Sequence, residues 1–82
     1  MDEIGLELEA LLGRFVNGDD TRLATANRLE VLLSDLFPGD EVVNERVGDL
    51  AQYRPGGGEF LLDAEEMRTR LDRLRRYLTL LR

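Results

Sequence analysis

Apolar residues recur along this chain at intervals of three and four positions, the spacing of an α-helix that buries one face. Short segments rich in Gly, Pro and Asp separate these stretches, and the pattern predicts four helices. The first three are expected over about Asp2–Val16, about Thr21–Leu36 and about Glu41–Tyr53. The fourth follows Asp63, and its apolar positions repeat at alternating spacings of four and three: Met67, Leu71, Leu74, Leu78 and Leu81.

The predicted helix boundaries carry the residues that usually stop and start helices. Gly18 follows the first helix and the pair Pro38-Gly39 follows the second, where a helix cannot easily continue. An acidic side chain before a helix can accept hydrogen bonds from its free N–H groups. Such residues are Asp19 or Asp20 before the second helix, Asp40 before the third and Asp63, with Glu66 three positions on, before the fourth.

The third helix is short, and we expect Val43, Val47, Leu50 and Ala51 on its buried side. A Gly-rich loop follows it, and Phe60–Leu62 is too apolar to stay in water, so we expect that stretch to dock on the helices. Pairing of the same stretch as a short strand is the alternative. The predicted fold is all-α: a compact four-helix bundle, one domain over residues 1–82, with the short third helix and the Gly-rich loop before the last helix.

The residue types that are missing restrict the chemistry. The chain has no Cys and no His, and its 11 basic residues are all Arg. Thiolate and imidazole catalysis, Schiff bases and the usual transition-metal ligands are thereby removed. The segment 17–20 begins like an EF-hand calcium loop, but Arg22 and Arg28 stand where that loop requires Gly and Glu. The glycines after the third helix lack the Lys of a phosphate-binding loop. We therefore expect a protein that is not an enzyme and has no metal site and no cofactor.

The charge and hydropathy of the chain bear on its partners. Seventeen acidic residues leave a net charge of −6, which argues against nucleic acid as a partner and favours a basic protein. An acidic amino terminus is unlike a signal peptide, and no apolar run reaches the roughly 20 residues that span a bilayer. The sequence predicts a cytoplasmic protein with no membrane segment.

A binding face is predicted around the third helix. Acidic side chains there attract a cationic partner, Tyr is enriched in binding hot spots, and glycines allow a partner close to the backbone. The candidate partner-binding residues are Glu41, Glu45, Asp49, Tyr53, Pro55, Gly56, Gly57 and Gly58. We expect Tyr53→Ala and Asp49→Ala to weaken partner capture while leaving thermal stability nearly unchanged.

The order of elements and the segment Asp49-Leu50-Ala51-Gln52-Tyr53-Arg54-Pro55-Gly56 resemble the immunity proteins that inhibit colicin DNases. These are small, acidic, four-helix bacterial proteins with a short third helix that ends in tyrosines and Pro; here Arg54 stands between Tyr and Pro. The resemblance implies an inhibitor of a basic nuclease that binds through its second and third helices. It implies contacts by Asp49, Tyr53 and Pro55, with Glu41 and Glu45 as supporting charge.

A second functional hypothesis comes from the last helix. Tyr77 and Leu80 lie off its main apolar seam and give its end a second apolar strip. If this strip is exposed, the chain is a structural subunit that homodimerises through its C-terminal helix. If it is buried, both side chains belong to the core of the bundle.

Overall fold

Four helices follow one another in the computed structural model, which describes residues 3–55 and 62–80 but not the side chains of residues 3 and 4. They are α1 (Glu3–Asn17), α2 (Leu23–Leu36), α3 (Glu41–Ala51) and α4 (Ala64–Leu80). Each helix packs against the next in the chain, and α4 packs against α1, so the helices form a closed ring. The predicted all-α four-helix bundle, with a short third helix, is confirmed.

The helices surround one apolar core, built by the side chains that the three-and-four spacing predicts. Leu8, Leu12 and Phe15 contribute from α1, and α4 contributes the predicted seam of Met67, Leu71, Leu74 and Leu78; the position of Leu81 lies outside the described residues. From α2 and α3 the buried apolar residues are Ala26, Leu29, Leu32, Leu33, Val43 and Leu50. Ala51 is exposed, and its predicted burial is wrong because α3 turns it away from the core.

Two predicted caps are confirmed. The Asp40 carboxylate accepts a hydrogen bond from the N–H of Val43 over 3.0 Å, and Asp63 accepts one from the N–H of Glu66 over 2.9 Å. In each case the side chain satisfies an N–H group that has no partner inside its own helix. These contacts explain why α3 begins at Glu41 and α4 at Ala64.

The start of α2 differs from the prediction. The N-cap is Arg22, which makes no capping hydrogen bond through its side chain, and the helix begins at Leu23. The Asp20 carboxylate instead binds the Arg22 guanidinium, with oxygen-to-nitrogen distances of 2.9 and 3.0 Å. This pairing holds the pKa of Asp20 well below its ordinary value. Asp20 therefore stabilises the turn between α1 and α2 and does not cap a helix.

The chain after α3 returns to the bundle at Leu62. An isolated parallel bridge joins Tyr53 to Leu62: the N–H of Arg54 donates to the Leu62 carbonyl over 3.0 Å. Leu62 is half-buried against the core, as predicted for the end of the apolar stretch. Phe60 and Leu61, and with them most of the predicted docking segment, lie outside the described residues.

Candidate functional site: the acidic face of the third helix

The acidic residues of α3 lie in one row along the helix. Glu41, Glu45 and Asp49 are spaced by four residues, so each stands about one turn beyond the last. The cap by Asp40 fixes the start of this row, and Val43 and Leu50 on the opposite side anchor the helix in the core. The row is therefore held by a well-packed helix rather than by a loop.

The first two residues of the row are open to solvent. Glu41 is exposed, and the Glu45 side chain is 74% exposed, with one contact of 3.4 Å to the neighbouring Arg46. Val42 lies between them in sequence and is itself 40% exposed. We call Glu41, Val42 and Glu45 the acidic α3 patch: two carboxylates beside a small apolar surface.

Asp49, the third residue of the row, faces α4 instead of solvent. Its side chain is only 18% exposed and forms ion pairs of 3.0 Å with both Arg46 and Arg70. Arg70 also binds Glu66 over 3.0 Å. Arg46 Nε and Asp49 Oδ2 are both buried and form an ion pair without hydrogen-bond geometry. Two arginines neutralise Asp49, which therefore links α3 to α4 and adds no negative charge to the patch.

Tyr53 lies in the core of the bundle. Its side chain has no solvent exposure, and its ring meets Phe15 edge to face with 5.3 Å between centroids. The hydroxyl donates a hydrogen bond to the Thr21 carbonyl, and burial raises the pKa of the phenol. Tyr53 cannot touch a partner while the domain is folded. The prediction of an exposed hot spot is corrected because α3 ends at Ala51 and the chain then turns inward.

The sequence did contain a signal for this burial. Tyr53 follows Val43 by ten residues and Leu50 by three, which continues the apolar stripe of α3. The aromatic ring therefore extends the buried side of the helix past its last turn.

The remaining predicted site residues follow Tyr53. Pro55 is exposed, and Arg54 beside it is exposed too, with its guanidinium donating to the Tyr53 carbonyl over 2.6 Å. Gly56, Gly57 and Gly58 lie outside the described residues. Of the eight predicted residues, Glu41, Glu45 and Pro55 are thus open to a partner, whereas Asp49 and Tyr53 have internal roles.

Asp40 and Tyr77 form a contact that the sequence did not predict. The Tyr77 hydroxyl donates to Asp40 Oδ2 over 2.7 Å, while Oδ1 of the same carboxylate caps α3. These two hydrogen bonds, that of Tyr77 being the larger cause, hold the pKa of Asp40 below its ordinary value. The bond also raises the pKa of Tyr77. It places the C-terminal part of α4 beside the acidic α3 patch.

The end of α4 carries exposed charge of the opposite sign. Arg73 and Arg76 are exposed, and Arg76 contacts Asp72 over 3.1 Å. Leu80, one turn further on, is 83% exposed, whereas Tyr77 is half-buried against the core. The predicted apolar strip is therefore divided: Tyr77 belongs to the bundle and Leu80 to its surface.

In comparisons with known proteins, no family model, no curated protein and no solved structure matches this chain. None of the four helices, as far as the structure describes them, is long and apolar enough to cross a membrane. Among the described side chains, those of residues 5–55 and 62–80, no group of three acidic residues is arranged to hold a metal ion.

Proposed function

We propose that this chain is a non-enzymatic binding module whose acidic α3 patch engages a basic partner protein in the cytoplasm. The observation that carries the proposal is the exposure of Glu41 and Glu45 on a capped and packed helix, with Val42 exposed beside them. Carboxylates in this setting speed association with a cationic surface, and an adjacent apolar side chain adds contact area. An immunity-like inhibitor of a basic nuclease is the most specific form of this function.

Asp49 and Tyr53 take a different place in this proposal from the one that the resemblance implies. Both are engaged inside the bundle, so the partner would meet Glu41, Val42, Glu45 and Pro55. The role of Tyr53 is then indirect, since its bond to Thr21 and its contact with Phe15 hold the end of α3.

A charge-matched pair of variants tests the patch. We expect the immobilised protein to capture a basic protein from the source lysate, and Glu41→Gln/Glu45→Gln to reduce that capture about tenfold or more at low salt. Asp19→Asn/Glu65→Gln removes the same charge from exposed positions outside α3 and should capture as the wild type does. Equal capture by all three proteins, or capture only of acidic proteins, would contradict the proposal. A nuclease gene beside this one would support the inhibitor form.

Self-association through α4 is a second candidate function, favoured by the exposure of Leu80. In this form the chain is a structural subunit, with Leu80 at the centre of a two-fold contact. Analytical ultracentrifugation should then show a dimer that Leu80→Glu dissociates. Leu6→Glu, which changes another exposed leucine on α1, is the control and should leave the dimer intact. A wild-type monomer at all concentrations would rule this function out.

A further inference from the structure

A partly enclosed cleft of about 300 Å³ lies between α1 and α4, and no residue of the acidic α3 patch lines it. Leu8 and Leu12 of α1, Leu78 of α4 and Phe37 at the end of α2 form its apolar walls. An apolar cavity of about 150 Å³ in a protein core is enough to admit benzene. The cleft is thus large enough for a small organic molecule, and clefts between the helices of a bundle are common places for such ligands.

The polar end of the cleft is formed by Glu9, Arg75 and Thr79. Arg75 extends from α4 toward α1: its Nη1 atom lies 3.9 Å from the point at which a Cβ on Gly13 would stand. The same residue also lines a polar groove that continues along α1 and α4, with Asn17, Glu65 and Arg68 among its walls. The Arg75 guanidinium therefore stands where the apolar cleft meets a polar surface.

Arg75 has hydrogen-bonding capacity that the described protein groups do not use. Its ion pair with Asp72 is 3.9 Å long, which is beyond hydrogen-bonding distance, whereas Arg76 holds the other oxygen of Asp72 at 3.1 Å. A guanidinium has five N–H donors and binds a carboxylate through two of them at once. Glu9, the carboxylate that also lines the cleft, is itself engaged in an interaction.

We propose that the α1–α4 cleft binds a small amphipathic carboxylate, such as a medium-chain fatty acid. The hydrocarbon part lies against Leu8, Leu12, Phe37 and Leu78, and the carboxylate accepts hydrogen bonds from Arg75. Burial of each methylene group contributes roughly 0.8 kcal/mol, so the chain supplies affinity and the guanidinium selects the head group. This site is independent of the proposed protein-binding function, because no residue of the acidic α3 patch lines it.

Octanoate is the probe for this proposal, with octan-1-ol and octylammonium as head-group controls, in calorimetric and NMR titrations of the intact protein. We expect saturable octanoate binding with a Kd below about 1 mM, and weaker binding of octylammonium. Since the chain carries a net charge of −6, a preference for the anion would reflect a local cation and not the overall field.

Two α4 variants with the same change of charge identify the cation. Arg75→Gln should raise the Kd of octanoate about tenfold and leave that of octan-1-ol unchanged, while Arg73→Gln should change either Kd less than about twofold. Thr79→Phe, at an exposed position of the mouth, should block both probes. The proposal is overturned if octanoate does not saturate, if Arg75→Gln and Arg73→Gln behave alike, or if folded Thr79→Phe still binds.

Discussion

The Tyr77 hydroxyl donates a hydrogen bond of 2.7 Å to the Asp40 carboxylate, which at the same time caps α3. One side chain thus stabilises the beginning of α3 and fastens it to the last turns of α4. Together with the Asp49–Arg70 ion pair near the other end of α3, it shows that the two helices run antiparallel. The position of the acidic α3 patch depends on this pair of contacts.

The first prediction concerns the pH dependence of the Asp40–Tyr77 bond. Because the pKa of Asp40 is lowered in the folded state, its contribution to stability is present above the ordinary Asp pKa and is lost as pH falls through the lowered value. We expect Tyr77→Phe to lower the Tm by a few degrees at pH 7 and by less in strong acid. Thermal melts followed by circular dichroism measure both differences.

The control for this prediction is a double-mutant cycle. In an Asp40→Ala background the carboxylate is gone, so Tyr77→Phe should change the Tm much less than it does in the wild type. An equal change in both backgrounds would contradict the prediction, because the effect of the Tyr77 hydroxyl would then not depend on the Asp40 carboxylate.

The second prediction concerns Tyr53, which is fully buried. Tyr53→Ala should destabilise the fold by about 3–5 kcal/mol because it leaves a cavity beside Phe15. Tyr53→Phe keeps the ring and removes only the bond to the Thr21 carbonyl, and should cost about 1 kcal/mol. Urea unfolding at neutral pH measures both values. Near-wild-type stability of Tyr53→Ala would instead support the exposed position that the sequence suggested.

The third prediction compares two glycines. Gly18 has a φ of +84°, and a Cβ there would stand 3.2 Å from the Arg68 guanidinium carbon, so Gly18→Ala should cost about 1–2 kcal/mol. Gly48 lies inside α3, and no atom from outside its own helix turn lies within 4 Å of where a Cβ would stand. Gly48→Ala should therefore stabilise the protein by roughly 0.5–1 kcal/mol. The urea concentration at the unfolding midpoint should therefore fall for Gly18→Ala and rise for Gly48→Ala, although both variants add the same methyl group.

The fourth prediction concerns Asp49. Removing its carboxylate leaves Arg46 and Arg70 facing each other, both partly buried, so Asp49→Ala should cost about 1 kcal/mol. Glu45→Ala, one turn earlier on the exposed side, is the matched control and should change stability by less than about 0.5 kcal/mol. If both variants unfold at the same urea concentration, the ion pairs of Asp49 do not stabilise the packing of α3 on α4.

The sequence by itself determined the four helices and most of their boundaries. Apolar spacing and capping are local properties, because they depend on residues only a few positions apart. Asp40 and Asp63 therefore cap as predicted, and the seam from Met67 to Leu78 is buried as predicted. The prediction that Asp20 caps α2 is wrong, because the carboxylate binds the guanidinium of the neighbouring Arg22.

Only the tertiary structure decided which side chains of the candidate site remain available to a partner. Glu45 and Asp49 are both acidic residues of α3, yet one is open to water and the other is held by two arginines, one of them from α4. Tyr53 lies in the core, where its ring contacts Phe15 and its hydroxyl binds the Thr21 carbonyl, and both partners are far away in sequence. Exposure depends on what the other helices bring near a residue, and the spacing within one helix does not contain that information.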